Sequence, residues 1–168
     1  MKPLSLFLTL LAAAMAVSAY GLPGAKPKVT PGSGQSSAPL VLFVCEHGSA
    51  KSVVAAAHFT KLATERLLNV RAISRGVRPD PEIAAKAAAG LRSESLAPLE
   101  KKPRQLSPED LKGAARVVAF CELPEEYEIA VPVERWTDVP PISEDYQRSR
   151  DVMVERIIVL LDDLERAK

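Results

Sequence analysis

The sequence is poor in the residues that usually announce a function. Only two cysteines, Cys45 and Cys121, occur in 168 residues. Two thiols cannot build a disulfide-stapled scaffold or a four-thiolate metal site. Histidine is as scarce, with His47 and His58 alone, so a histidine-rich metal centre is not expected, and no cofactor is implied. An excess of one charge is also missing. Lys and Arg total 22 against 21 Asp and Glu, a near balance that argues against a dedicated nucleic-acid binder. No Gly-x-x-x-x-Gly-Lys loop is present, and no Gly-x-Gly-x-x-Gly follows an apolar strand, which excludes the common nucleotide-binding fingerprints. No internal repeat is visible. What remains is 47% hydrophobic and 26% charged, enough for one folded core and too apolar for wholesale disorder.

One long apolar run does exist, at the start. Lys2 is followed by a nearly uninterrupted apolar stretch from Leu4 to Val17, and Val17-Ser18-Ala19 offers small residues for cleavage. Residues 1–19 read as a secretory signal peptide. The rival is a membrane anchor, but the run falls short of the roughly 20 residues a span requires. A secreted or periplasmic protein with no membrane span after cleavage is therefore expected. Residues 20–39 are rich in Gly, Pro, Ser and Lys and read as a flexible linker. The folded domain is expected over 40–168.

Within that domain Leu40 to Val44 is a continuous apolar run ending at Cys45, the pattern of a strand buried on both faces. A helix is expected over Lys51–Leu68 and a second strand over Val70–Ser74. A short helix is expected over Pro81–Ala89, closed by Gly90. Ser107-Pro108-Glu109-Asp110 is a helix start, with a cap, a proline and acids in the first turn. Arg116–Phe120 reads as a third strand and Ile129–Val133 as a fourth. A final helix, capped by Asp145 or Ser149, carries an apolar stripe from Val152 to Leu164. Strands alternating with helices imply an α/β domain.

Cys45 is followed by Glu46-His47-Gly48-Ser49-Ala50 and then by the helix beginning at Lys51-Ser52. A loop of small residues running from a buried strand into a helix gathers backbone N–H groups and the positive end of the helix. Such a place holds an oxyanion and stabilises a thiolate, making Cys45 a candidate nucleophile. Lys51 is placed to supply a full positive charge, and Ser52 to orient the thiolate. The plainer reading, a buried and inert strand-end cysteine, stands beside it.

The segment Val41-Leu42-Phe43-Val44-Cys45-x5-Lys51-Ser52 resembles the low-molecular-weight protein tyrosine phosphatase family, which includes thiol-dependent arsenate reductases. Ser74-Arg75-Gly76, Val117 to Cys121, Trp136-Thr137-Asp138-Val139-Pro140 and Arg150-Asp151 extend the likeness over about residues 40–165. The resemblance implies a three-layer α/β sandwich around a four-stranded parallel sheet of order 2-1-3-4, the phosphotyrosine protein phosphatase I-like fold. It implies Cys45 as nucleophile, Lys51 and Ser52 in the anion loop, and Asp138 as proton donor to the leaving oxygen. Cys121 would be a resolving thiol that forms a Cys45–Cys121 disulfide, which an external thiol reductant then reduces. Arsenate reduction is accordingly the leading expectation. Phosphate-monoester hydrolysis through a phosphocysteine is the first alternative. An oxyanion-binding or interaction protein with weakened catalysis is the second, because Lys51 stands where the family carries arginine. The partner in every case is an oxyanion: arsenate, phosphate or sulfate.

Overall fold

A computed structural model describes residues 38–167 of the chain. The signal-peptide and linker expectations, residues 1–19 and 20–39, fall on residues 1–37 almost entirely and so lie outside the described residues. Eight elements follow in order: β1 (Leu40–Cys45), α1 (Lys51–Glu65), β2 (Arg71–Gly76), α2 (Ala85–Ser93), α3 (Pro108–Gly113), β3 (Arg116–Ala119), β4 (Val133–Arg135) and α4 (Tyr146–Arg166). The strands form one parallel sheet of order β2-β1-β3-β4, as the resemblance implied.

β1 lies in the middle, and every one of its residues is buried. Its alternation divides the core. Val41, Phe43 and Cys45 face α1, α2 and α4, packing with Phe59, Leu91, Met153 and Ile157. Leu42 and Val44 face the other way, toward Leu106, Leu111 and Val117 beside α3. A period of two thus serves both layers of the sandwich. α4 contributes Met153, Ile157, Leu160 and Leu161, all buried, at the three- and four-residue spacing of one helix face. No helix among the described residues is long and apolar enough to cross a membrane.

Several element boundaries differ from expectation for identifiable reasons. The fourth strand is Val133–Arg135, not Ile129–Val133. Pro132 interrupts the expected run, and a proline cannot donate to a ladder; its carbonyl instead accepts from the Val117 N–H at 3.0 Å. The first helix ends at Glu65 because Leu67 turns left-handed, with φ 56°. Gly90 does not close α2 but sits inside it. A Cβ there would lie 2.2 Å from the Tyr146 ring, so glycine is what lets α4 pack this close to α2. For α4 the cap is Asp145, whose carboxylate accepts from the Arg148 N–H at 3.0 Å. α3 begins with the expected cap: the Ser107 hydroxyl accepts from the Asp110 N–H, and the Asp110 carboxylate accepts from the Ser107 N–H in return.

Candidate active site

The segment from Cys45 to Ser52 connects β1 to α1 and has its carbonyls tied down on one side. Those of Cys45, Glu46, His47 and Ser49 accept from the N–H groups of Val77, Arg78, Asp80 and Ala84, at 3.1, 2.8, 3.0 and 3.0 Å. The C=O and the following N–H of a trans peptide point in opposite directions. Fixing these carbonyls therefore turns the next N–H groups inward. Among the described residues, none of the backbone N–H groups of Glu46 to Ala50 donates to another backbone group. α1 adds to them, since its N-cap is Ala50, with no side-chain cap and no acid in the first turn. The first N–H groups of a helix have no partner within it, and the start of α1, at Ala50 and Lys51, lines the cleft beside Cys45. Gly48 makes the turn possible at φ 59°, with its α-carbon packed against the Gly76 backbone.

The side chains complete the arrangement. The Cys45 thiol is buried, and its Sγ lies 3.1 Å from the Ser52 hydroxyl, which is fully enclosed. Lys51 reaches across the loop, and its Nζ donates to the Val139 carbonyl at 2.5 Å. Burial lowers the Lys51 pKa from its ordinary value, and the fields of Cys45, Asp138 and Cys121 oppose that. A cleft of about 240 Å³ opens over the thiol. Its lining includes Cys45, His47, Lys51, Lys86, Phe120 and Ile142. Asp80 braces the loop from outside, accepting from the Ser49 hydroxyl at 2.6 Å and lying 3.5 Å from the His47 ring. Sequence reasoning missed Asp80. The only signal was its place between Pro79 and Pro81, which reads as a turn and nothing more.

Not every expected residue joins this group. Both cysteines are free thiols, so the expected Cys45–Cys121 disulfide is corrected. The Cys45 sulfur is instead paired with the Ser52 hydroxyl, and Cys121, just past the end of β3, remains a separate half-buried thiol nearby. Its thiol is pushed up to about 12 by burial and then by the neighbouring Cys45, Glu46 and Glu122. Asp138 is solvent-exposed and held by Arg156. His58 is remote, buried in α1 near Glu94. Among the described residues no group of three or more His, Cys, Asp or Glu side chains is placed to hold a metal ion.

A hollow of inward N–H groups closed by a serine-bonded thiol agrees with what comparison with other proteins finds. Residues 40–138 match the family model for low molecular weight phosphotyrosine protein phosphatase. The chain belongs to this family. No curated protein sequence matches it. Among solved structures it is similar to YfkJ from Bacillus subtilis, at 21% identity and a TM-score of 0.70 over 80% of this chain and 99% of that one. It is also similar to a low molecular weight protein tyrosine phosphatase from T. tengcongensis, with 23% identity, a TM-score of 0.66 and coverage of 75% and 99%. An arsenate reductase from Archaeoglobus fulgidus is 29% identical, with a TM-score of 0.61 and coverage of 73% and 98%. The first two likenesses speak for the fold. Family membership gives thiol-based phosphatase chemistry at an oxyanion site, with Cys45 as the nucleophile. It does not extend to a second, resolving cysteine, on which, together with the Trp136 region and the lack of an aromatic pair after Asp138, the arsenate-reductase expectation had rested.

Proposed function

We propose that this protein hydrolyses phosphate monoesters through a phosphocysteine at Cys45. The observation that carries the reading is the loop itself: carbonyls tied outward, N–H groups free, and a thiol 3.1 Å from the Ser52 hydroxyl. The three non-bridging phosphoryl oxygens would take the inward N–H groups of the loop and the first turn of α1. Cys45 attacks phosphorus, the S–P bond forms, and the P–O bond breaks with its electron pair leaving on oxygen. Water then attacks the phosphocysteine, releasing inorganic phosphate and restoring the thiolate. Ser52 donates its hydroxyl to the sulfur whenever it is anionic. Lys51 contributes a point charge where the family's arginine would offer a planar fork, so it neutralises charge without fixing two oxygens together.

The testing experiment is hydrolysis of 4-nitrophenyl phosphate by wild type, Cys45→Ser and Cys121→Ser, with rapid-quench trapping of the phosphoenzyme. Turnover and a trapped phosphocysteine are expected for wild type and Cys121→Ser, and neither for Cys45→Ser. Activity surviving in Cys45→Ser would remove the proposal. Loss of activity in Cys121→Ser would return the reading to a two-thiol reaction. A Lys51→Arg change is expected to raise kcat/KM by about tenfold, since a bidentate contact to the equatorial oxygens adds about 1.4 kcal/mol of transition-state binding. The apolar run and cleavage-like residues of 1–19 support placing this activity outside the cytoplasm, which N-terminal sequencing of the mature protein tests.

A further inference from the structure

The cleft over Cys45 holds a second cation that the phosphatase reading leaves without a task. Lys86, in the first turn of α2, lines it together with Cys45 and Lys51. A cation there gains nothing from the helix, whose N-terminus is itself positive. The Lys86 Nζ donates to the Ser143 carbonyl at 2.9 Å and to the Glu144 carbonyl at 2.8 Å. Two bonds to backbone hold this ammonium in place, whereas the flexible stem of an ordinary surface lysine leaves it free. An ammonium carries three N–H donors, so one remains for a ligand. Charge points the same way. Among the described residues Lys86 forms no ion pair, and its partners are neutral carbonyls. Glu46, the acid in the cleft lining, is already taken by Arg78, whose Nε donates to it at 2.7 Å. The loop N–H groups and Lys51 suffice for a phosphoryl group, which leaves the Lys86 charge unanswered. Much of the remaining wall is apolar, with Ala84, Phe120 and Ile142. At about 240 Å³ the cleft is smaller than the roughly 300–1,000 Å³ of most ligand pockets. One small molecule with its phosphoryl group at Cys45 therefore comes within reach of Lys86.

We propose that Lys86 determines specificity by binding a second anionic group on the substrate, so that this protein acts on small phosphate monoesters whose own leaving group carries a carboxylate or another anion. The proposal rests on the phosphatase reading above and deepens it by naming a substrate class. The phosphoryl group occupies the loop beside Cys45 and Lys51. The apolar part of the substrate lies against Phe120 and Ile142, and the second anion accepts from the free N–H of Lys86. Lys86 takes no part in the bond changes at phosphorus. It contributes the attraction between two charges in an exposed place, worth up to about fivefold in affinity. The charge on that remote group is the same before and after the P–O bond breaks, so the gain belongs in KM and not in kcat. A phosphate ester with a neutral leaving group forgoes it.

The test uses matched pairs of substrates: 3- and 4-carboxyphenyl phosphate, each against its carbamoyl counterpart, which has the same shape and no charge. Both kcat and KM are measured at pH 7, in low salt and in 1 M NaCl. Wild type is expected to favour the carboxylate of at least one pair about three- to fivefold in KM. In 1 M NaCl, where charges are screened beyond about 3 Å, the preference should fall below about 1.5-fold. Lys86→Gln, which can still donate to a carbonyl but has lost the charge, should show no preference. Lys86→Arg should keep it. Thermal melts establish that both variants are folded. Equal KM values within both wild-type pairs overturn the proposal, as does a preference that persists in 1 M NaCl or in Lys86→Gln. Loss of the preference in Lys86→Arg as well as in Lys86→Gln assigns it to the wall around Ser143 and also overturns the proposal. Each of these results leaves the phosphatase reading intact, since the neutral ester is still hydrolysed. Failure of wild type to hydrolyse either member of a pair overturns the phosphatase reading, and this proposal with it.

Discussion

Replacing Gly48 with alanine should damage both stability and anion binding, for reasons that can be worked from two sides. Gly48 has φ 59°, in the left-handed region where a Cβ costs an L-residue about 1–2 kcal/mol. The added carbon would also lie 2.7 Å from the Gly76 nitrogen, 2.9 Å from the Gly76 α-carbon and 3.2 Å from the Arg75 carbonyl carbon. These are backbone atoms and cannot rotate away. Gly76 is paired with Cys45 across the sheet, its N–H donates to the Arg104 carbonyl at 2.9 Å, and its own carbonyl accepts from Leu106 at 2.8 Å. Relief must come from the loop, which would shift and turn its N–H groups off the anion. We expect Gly48→Ala to cost about 2–4 kcal/mol and to weaken inhibition by inorganic phosphate at least tenfold. Gly113→Ala is the matched control. Nothing lies within 4 Å of the Cβ it would add, and it closes a helix where alanine is preferred by a few tenths of a kcal/mol or more. Urea unfolding at pH 7 and phosphate inhibition of aryl phosphate hydrolysis measure the two effects. If Gly48→Ala matched Gly113→Ala within about 0.5 kcal/mol and kept its phosphate affinity, the left-handed, close-packed loop would be wrong.

Three further outcomes are expected. Arg75 is buried, with Nε donating to Asp110 at 2.9 Å and Nη1 to Glu100 at 3.0 Å. Arg75→Met should cost about 3 kcal/mol in urea unfolding, because two partly buried carboxylates lose their buried cation. Burial alone would raise the Asp110 carboxyl, but Arg75 and Ser107 outweigh it and hold it below its ordinary value. That contribution is present above about pH 4 and lost as pH falls through the lowered value, so acid titration of the urea midpoint should show it, and Asp110→Asn should remove it. Burial lowers the His58 imidazole too, with Glu94 only partly offsetting the effect. The unfolded chain then takes up a proton below about pH 6.5 that the folded one refuses. Stability should fall as pH drops below that value, and His58→Gln should flatten the fall. The Cys121 thiol, pushed up to about 12, should react slowly with iodoacetamide at pH 8 in the folded protein. It should reach the rate of an ordinary cysteine only in urea, as peptide mapping would show.

Much of the scaffold was legible because it depends on local pattern. The unbroken apolar run of β1, the Ser107 cap and the apolar stripe of α4 each state their own geometry within a few residues. Where expectation failed, a partner distant in sequence had decided the matter. Gly90 looks like a helix end until Tyr146 occupies the space a side chain would need. The fourth strand was misplaced because apolar spacing outweighed Pro132 in the reading, whereas register against Val117 to Ala119 fixes Val133–Arg135.

The same division holds at the site. Cys45, Lys51 and Ser52 were readable because the five residues between the strand and the helix form a local unit with the elements they join, its hollow defined by the chain's own direction. The sequence by itself therefore determined the nucleophile, the anion loop and, through resemblance, the sheet order. Only the tertiary structure decided which groups reach that hollow. Ser52 and not Cys121 pairs with the Cys45 sulfur, the turn after β2 fixes the loop carbonyls, and α4 brings Arg156 to Asp138 across 18 residues. Proton donation and thiol pairing depend on distances of a few ångströms between side chains on separate elements. Spacing along one strand or helix carries no record of those distances, because packing sets them.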